Sequence, residues 1–389
     1  MNNTVRQVRD FFVSLKLTVV LLALGILLIF AGTLAQVNLG IWAVQKQFFQ
    51  SFIAIWHIGK LYVPIPGGYL VGGLLLINLI AAHIYRFQLT WKKAGIQLTH
   101  LGVILLLVGE LLSGLWQETY TMRIVEGQTA NYSEHERDFE LAVVDTTDAK
   151  FDDVVAIPES LLADGRTVQH PKLPFRVVTK LHYPNAALAR RTGQSSAPVV
   201  QNLATAGIGT QLETTSLPLT YKENERNIPA AFVELIGTGG SLGTWLVSPD
   251  LGAPQSFSHD GRTWKLALRQ TRAYKPFAIT LREVRHDVYP GTDIPKNFSS
   301  RVRLTTLDGS DDRDVLIYMN NPMRHGGYTF YQHQMDAGHR TTVLQAVRNP
   351  SWAIPYLACA LMTLGLLWQF CFHLFGFVGK RHKLRPAAA

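Results

Sequence analysis

Long apolar runs alternate with polar stretches along this chain of 389 residues. Four runs are long and apolar enough for a helix that crosses a bilayer, which needs about 20 such residues. They cover about 15–35, 68–85, 96–116 and 352–378. The first run exceeds an ordinary signal-peptide core and no small-x-small cleavage pattern follows it, so we interpret it as an uncleaved anchor. The pattern predicts four transmembrane helices, three N-terminal and one C-terminal.

The stretch between the third and fourth runs, 117–350, has a different pattern. Short segments rich in β-branched and aromatic residues, often alternating with polar ones, are separated by turn signals such as DG, GG, NP and PG. The predicted strands are FELAVVD, FRVVTKLHY, AAFVELIG, TWLVS, TWKLALRQ, FAITLREV, RVRLTTLDG, RDVLIYM and YTFYQHQM. They suggest a sandwich or a meandering sheet. Residues 185–220 lack such a pattern and are predicted to form a long loop or irregular insert.

Aromatic side chains mark the segment between the first two apolar runs. They fall near one helical face and predict an interfacial aromatic helix near 41–57; they are Trp42, Phe48, Phe49, Phe52 and Trp56. The face could be a simple aromatic belt or a docking surface for another membrane protein, and the sequence leaves both open. His57 at its end is interpreted as an interfacial residue.

The net charge of +9 is not spread evenly along the chain. Residues 117–350 hold 25 Lys and Arg against 26 Asp and Glu, so the remaining residues hold 37 − 25 = 12 cations and 28 − 26 = 2 acids. The excess positive charge lies beside the apolar segments, which argues against a nucleic-acid-binding protein and agrees with the positive-inside rule. It places both termini and the turn 86–95 on the cytoplasmic side of the membrane, and 117–350 on the outer side.

The predicted architecture is therefore a membrane α + β protein with three parts. Residues 1–116 form an N-terminal membrane domain with three transmembrane helices and the interfacial aromatic helix. Residues 117–350 form a large β-rich extracytoplasmic domain between the third and fourth helices. Residues 351–389 form the C-terminal transmembrane helix and a basic cytoplasmic tail.

Several kinds of chemistry are disfavoured. Cys359 and Cys371 are 12 residues apart in the fourth run, about 18 Å along a helix, which is too far for a disulfide. The chain has no CxxC motif and no CxxCH motif for covalent haem. A GxSxG match at 239–243 precedes a further strand, so we interpret it as a hairpin turn and not as a nucleophile elbow. No catalytic residue is predicted.

Other polar residues have no settled role. His325, His333 and His339 lie close together in the sequence, and solvated or structural histidines are favoured over a metal site there. Glu110 lies inside the third apolar run. It could face a partner, a water-filled cleft or the outer domain, or it could extend towards the outer surface.

Two histidines flank the basic turn between the second and third runs. His83 and His100 have their midpoint between Trp91 and Lys92. If the two runs are antiparallel helices, equal spacing from the turn places both imidazoles at about the same depth. A histidine inside a membrane segment is a functional hypothesis by default. Two at one depth suggest a ligand site for a bound metal cofactor.

Four segments of the chain carry a family resemblance. They are SLKLTVVLLALGILLIFAGTLAQ (14–36), RFQLTWKKAGIQLTHLGVILLLVG (86–109), VYPGTDIPKNFSSRVRL (288–304) and MNNPMRHGGYTFYQHQMD (319–336). Together with the order of helices and outer domain, they make the chain resemble the ResB/CcsB proteins of the system II cytochrome c maturation machinery. The resemblance is weakest in 145–230.

The resemblance implies a haem-handling role. Such proteins work together with a CcsA/ResC-type membrane protein as a haem-handling synthase. The two proteins move haem b outward and present it to apocytochrome c for attachment at CxxCH. The family's haem ligand corresponds by context to His100, which would bind the haem iron as an axial ligand; His83 has no such counterpart. The partner's tryptophan-rich signature is absent, so the chain would be the accessory half of the synthase, sharing haem transiently. A thioredoxin-like reductant of the apocytochrome is a further candidate partner.

Two other functions remain open from the residues alone. In the first, His83 and His100 both bind one haem in a b-type electron-transfer subunit. In the second, the chain is a membrane-anchored extracytoplasmic scaffold without a cofactor. A haem spectrum of the purified chain, with and without each histidine, separates the three functions.

Overall fold

The chain forms two compact units in a computed structural model that describes residues 3–86, 90–191, 202–220, 225–291, 295–335 and 340–383. Described residues up to Glu118 and from Arg348 onward form the helical unit. Described residues from Thr119 to Val347 form the β unit. The change of pattern seen in the sequence near residues 117 and 350 therefore coincides with the boundary between the units.

Apolar helices dominate the helical unit. Four of them are long and apolar enough to cross a membrane by length and composition, over Leu15–Leu39, Gly68–Tyr85, Ala94–Trp116 and Ala353–Gly379. The helices in chain order are α1 (Asn3–Phe12), α2 (Leu15–Leu39), α3 (Ile41–Val44), α4 (Gly68–Tyr85), α5 (Ala94–Trp116) and α6 (Ala353–Lys383). The large β-rich region lies between α5 and α6 in the chain, as the sequence predicts.

A buried asparagine joins α4 to the N-terminal helices. Asn78 is 1% exposed and accepts a hydrogen bond from Thr18 Oγ1 at 2.6 Å. Its Nδ2 donates to the backbone oxygens of Phe12 at 2.6 Å and Ser14 at 3.2 Å. Both carbonyls lie at the break between α1 and α2. The Ser14 oxygen also accepts from Thr18 N at 3.3 Å, whereas the Phe12 oxygen at the end of α1 accepts from Asn78. Asn78 thereby satisfies polar backbone groups inside an apolar unit.

The segment between α2 and α4 corrects the prediction of a helix near 41–57. Only 41–49 are helical, as α3 and a π-helical turn over Gln45–Phe49. The prediction is wrong beyond that point, because β1 (Ile53–Ile58) pairs with β2 (Leu61–Pro66). The turn between them contains Gly59 at φ +62°, a conformation that favours two-residue hairpins. The aromatic pattern fits a strand pair as well as a helix.

The β1–β2 hairpin packs on the C-terminal half of α2. Ala54 and Ile65 on its inner face are buried with Leu28 and Ala31 of α2. The Trp56 ring lies against Phe30, with centroids 6.4 Å apart. The other hairpin face is apolar and exposed, over Ile53, Ile55 and Tyr62 among others.

The β unit is a pair of packed sheets and a curled extension. Its strands are β3 (Glu118–Val125), β4 (Thr129–Asp145), β5 (Asp153–Pro158), β6 (Thr167–Val168), β7 (Phe175–Tyr183), β8 (Ala186–Arg190), β9 (Leu212–Ser216), β10 (Ala230–Gly237), β11 (Gly240–Val247), β12 (Gln255–His259), β13 (Arg262–Val288), β14 (Pro295–Thr306), β15 (Asp312–Tyr318), β16 (Met323–His325), β17 (Tyr328–Met335) and β18 (Thr341–Arg348). The larger sheet has the order β15-β14-β13-β4-β3-β18-β17-β16, with β12 paired to β13 and β5 paired to β4. The smaller sheet has the order β11-β10-β7-β6, and β8 pairs with β9 separately. The predicted sandwich or meandering sheet agrees with this arrangement.

Two hydrophobic cores share the long strands β4 and β13. The first lies between the two sheets and contains Leu141, Val177, Val233 and Trp264. The second lies inside the curled part of the larger sheet and contains Phe277, Val302, Phe330 and Leu344. There β15 approaches β16 and β17, so the sheet curves towards closure. Burial of apolar side chains on both cores stabilises the β unit.

In the β unit, two details differ from the sequence predictions and one agrees with them. TWKLALRQ and FAITLREV are one strand, β13, whose register shifts between Tyr274 and Ile279. The predicted irregular insert 185–220 instead contains the strand pair β8 and β9, while 192–201 lie outside the described residues. The GxSxG match lies at the hairpin between β10 and β11, so its interpretation as a turn is confirmed.

Candidate functional site

The candidate site is the end of the helical unit at which α4 ends and α5 begins, hereafter the inner end, where the two predicted ligands lie. His83 is near the C-terminus of α4 and His100 is in the second turn of α5. The two imidazoles are close enough for an electrostatic interaction. The structure therefore brings together the pair that equal spacing from the turn predicted, although residues 87–89 of the connection lie outside the described residues.

The two histidines differ in exposure. His100 is exposed on the surface of α5, whereas His83 is half-buried. Since each residue turns a helix by about 100°, His100 lies about 160° around the axis from Gly102, which contacts α6. His100 therefore points away from α6. An exposed imidazole on this side is accessible to a ligand from outside the chain.

Close packing on α6 sets the orientation of α5. Gly95, Gly102 and Gly109 are buried at seven-residue intervals along α5. A Cβ at Gly102 would lie 2.5 Å from Met362 Cγ and 2.8 Å from the Ala358 oxygen, so only glycine allows this approach. Small residues are the usual means by which helices approach closely in membranes. Packing against α6 thus determines the direction in which the His100 side of α5 faces.

Aromatic and polar contacts join both ends of this helix pair. At the inner end, the Trp91 and Trp368 rings stack with centroids 5.4 Å apart, and Trp368 Nε1 donates to the Trp91 oxygen at 2.9 Å. At the outer end, Asn349 Nδ2 donates to Ser113 Oγ at 3.0 Å, and Ser113 Oγ lies 3.0 Å from Ser351 Oγ. These contacts hold the basic turn and the start of α5 in place.

The sequence analysis missed a third histidine at the inner end. His373 on α6 is exposed, and its Nε2 lies 2.6 Å from Gln369 Nε2. The i,i+4 spacing of Gln369 and His373 within an apolar run is the signal that could have found it. The structure puts this pair beside the start of α5, because Gln369 packs on Gly95.

The histidines of the β unit are dispersed. His325 Nδ1 lies 3.4 Å from Asp311 Oδ2, and its ring packs edge-on against Phe277. His333 is exposed, and His339 lies outside the described residues. Over the part of the chain that the structure describes, no group of three His, Cys, Asp or Glu side chains could hold a metal ion. Cys359 and Cys371 are free cysteines.

A cavity of 630 Å³ lies on the outer face of β4 and β13 in the β unit. Charged groups of both signs line it, and several are paired. Arg272 Nε donates to Glu134 at 2.9 Å, and Arg269, which also lines it, pairs with the buried Glu140 at 3.0 Å. Because three of its four lining cations, Arg226, Arg269 and Arg272, are paired with carboxylates, the cavity has no clear preference for an anionic ligand.

Comparison with known proteins supports the family resemblance in the β unit. Residues 255–342 match the model of the ResB-like family. Protein NrfI of Wolinella succinogenes is 34% identical over 94 residues, which are 24% of this chain and 10% of that protein. The chain thus spans about a tenth of the length of this curated relative. The predicted resemblance is confirmed, and the family match contains the segments 288–304 and 319–336.

The match does not reach the helical unit. The segments 14–36 and 86–109, and with them His83 and His100, lie outside 255–342. Their ligand roles stay predictions.

Proposed function

We propose that the chain is the haem-handling subunit of a system II cytochrome c synthase. It works with a CcsA/ResC-type membrane protein to move haem b outward and present it to apocytochrome c. The ResB-like match in the β unit and the four apolar helices around that unit support the proposal. The chain is the accessory half of the synthase, and no catalytic residue is assigned to it.

The observation that carries the proposal is the exposed imidazole of His100 on α5. Close packing against α6 leaves His100 on the opposite side of the helix, and His83 is near enough to interact with it. Neighbouring apolar side chains such as Ile96 and Leu101 are also exposed. An accessible imidazole in an apolar surface fits a porphyrin that is bound at the edge of the chain.

Haem, when bound, supplies an iron that takes one or two axial ligands, and imidazole is a common one. His100 would offer one ring nitrogen to that iron, and a residue of the partner would offer a second ligand. The exposed Lys92 lies in the turn at the same end of α5 and can pair with the carboxylates of the haem edge. His83 assists from the neighbouring helix as a polar group or a secondary ligand.

In the proposed orientation, all four apolar helices cross the bacterial plasma membrane. The cations at the N-terminus, in the turn after α4 and after α6 face the cytoplasm, as the positive-inside rule expects. The β unit then lies outside, where apocytochrome c and a thioredoxin-like reductant of its thiols would be met. Haem bound at His100 would be near the cytoplasmic face, at the start of the outward route.

A b-type electron-transfer subunit is the second candidate. The proximity of His83 and His100 favours it, because both could bind one haem in the chain alone. A requirement for both histidines in a six-coordinate haem spectrum of the chain without its partner would support this second function over the first.

The test of the proposal is the haem content of the complex purified with the CcsA/ResC-type partner. His100→Ala should leave assembly intact but lower bound haem and cytochrome c output about tenfold or more, since the iron loses a strong ligand. Added imidazole should partly restore both. His83→Ala should have a smaller effect, and His57→Ala, an exposed histidine of the β1–β2 hairpin, is the matched control.

The opposite pattern would reject the assignment. If His100→Ala complexes kept full haem and full cytochrome output while His83→Ala complexes lost both, the ligand would be on α4. A colourless complex that matures cytochrome c without either histidine would favour the scaffold function.

A further inference from the structure

Glu110 is an acidic residue within an apolar helix of the helical unit. It lies in α5, and its side chain is exposed. Within the part of the chain that the structure describes, its carboxylate forms no hydrogen bond and no ion pair. An isolated carboxylate in a membrane segment is costly, and such residues usually face a protein partner or a water-filled cavity.

The packing of α5 shows how deep this carboxylate lies. Gly109 packs directly on Ile354, in the first turn of α6, so Glu110 is level with the start of that helix. Trp116, the last residue of α5, is six residues further on, about 9 Å along the helix. Glu110 is therefore inside the apolar length of α5 and not at its end.

Glu110 and His100 are both turned away from α6. Glu110 follows the α6-facing Gly109 by one residue, which is about 100° around the helix axis. The two side chains are about 80° apart around α5 and about 15 Å apart along it. Both lie within the width of one helix face. The helix α4 approaches this face near its end, where Tyr69 Oη lies 3.5 Å from the Cβ position of Gly114, so a partner helix would pack beside α4. Leu111 is exposed on the same side.

The chain itself offers no cation at this depth. The apolar helices 15–39, 68–85, 94–116 and 353–379 contain Lys16 and no other Lys or Arg. Lys16 is at the start of α2, at the same end of the unit as Asn78 and the break after α1, which is the inner end. The apolar helices of a second copy would likewise bring no Lys or Arg to this depth, and lipid tails offer no hydrogen-bond donor.

We propose that a transmembrane helix of the haem-sharing partner packs on the His100–Glu110 side of α5 and places a Lys or Arg against Glu110. This inference rests on the proposed function, since the helix belongs to the protein that shares the haem with His100. The ion pair fixes the depth and rotation of the partner helix. The partner residue that would bind the iron together with His100 is thereby placed at the depth of His100, which is about 15 Å from Glu110 along α5.

The test uses the full chain purified with its CcsA/ResC-type partner in a mild detergent. Glu110→Lys should lower partner recovery about tenfold or more, because like charges meet in an apolar interface. Glu110→Gln, which keeps a hydrogen-bonding group, should lower it less. Glu118→Gln is the matched control, since Glu118 is an exposed acid just beyond the end of α5; it should leave recovery unchanged.

A second measurement reports the environment of the carboxylate directly. An apolar carbodiimide should modify Glu110 in the chain alone and modify it much less in the complex, as read by peptide mass spectrometry. Unchanged modification on partner binding would overturn the proposal. Modification by a water-soluble carbodiimide to the same extent in both states would also overturn it, because the carboxylate would then face water.

The outcomes separate this inference from the haem function. His100→Ala should lose haem and keep the partner, whereas Glu110→Lys should lose the partner. If the complex carries no haem in any form but Glu110→Lys still loses the partner, the interface stands and the haem role fails. If Glu110→Lys keeps the partner, or instead breaks a dimer of this chain, the interface proposal is wrong.

Discussion

At the scale of single residues, buried polar groups in the helical unit mark its specific contacts. Asn78 is 1% exposed and bonds three groups of the α1–α2 region, and Thr18 is one of them. In an apolar environment every backbone carbonyl without an intrahelical donor needs another partner. The side chain of Asn78 therefore sets the position of α4 relative to the N-terminus, and with it the position of His83.

Replacing Asn78 tests this role. Asn78→Leu should destabilise the purified protein by about 1–3 kcal/mol, because the Phe12 carbonyl and the Thr18 hydroxyl lose their partner without gaining water. Thermal unfolding in detergent measures the effect. Ile77→Leu is the control, since Ile77 is exposed on the neighbouring position of α4 and should change stability little. Equal stability of the two variants would show that Asn78 contributes nothing specific.

At the scale of elements, the α5–α6 pair is the most closely packed contact of the helical unit. Its three buried glycines remove side chains where the backbones meet, and Gly95 faces both Gly365 and Gln369. Trp91 and Trp368 close the inner end of the pair. The side of α5 left for His100 and Glu110 follows from this packing.

A methyl group at the centre of the pair should separate the two helices. Gly102→Ala places a Cβ 2.5 Å from Met362 Cγ and 2.8 Å from the Ala358 oxygen, and the backbone oxygen cannot move aside. Overpacking of this kind costs about 1–3 kcal/mol. We expect a lower thermal stability in detergent and less haem bound to the complex. Gly114→Ala is the matched control on the same helix, because its nearest contact is Tyr69 Oη at 3.5 Å.

At the scale of the whole molecule, the uneven distribution of charge along the chain follows the division into two units. The cations that exceed the acids flank the apolar helices, whereas residues 117–350 are nearly neutral. The units divide the chain near Glu118 and Arg348, so the nearly neutral part is the β unit. The β unit has its own two hydrophobic cores and is nearly neutral by itself. It can therefore lie on one side of a membrane while the excess positive charge stays beside the apolar helices.

Reporter fusions test the sidedness. Alkaline phosphatase inserted after Gly309, in the exposed turn between β14 and β15, should be active, because that turn is proposed to lie outside. The same enzyme fused after Ala389 should be inactive, and a fluorescent protein there should fold in the cytoplasm. The reverse pattern would place the β unit inside and would remove the outward route for haem.

The sequence by itself determined features that depend on local pattern. The apolar helices follow from run length, because any segment of that length and composition satisfies its backbone only as a helix in lipid. β7, β10 and β17 have the bounds that alternation and flanking turn residues predict. The equal spacing of His83 and His100 from a short turn was also sufficient to predict that they lie near each other.

Where the local sequence pattern fits more than one secondary structure, only the tertiary structure decided which one forms. Ile53–Ile58 is a strand because β2 pairs with it and α2 covers its inner face, although its aromatic residues also fit a helix. The strand β13 continues through Pro276 because β4 pairs with it before and after this residue and β14 pairs with it from Phe277 onward. The glycine spacing of α5 is visible in the sequence, but the helix it faces is about 250 residues away. Contacts between distant segments carry no local signal, and they determine which side of α5 presents His100 and Glu110.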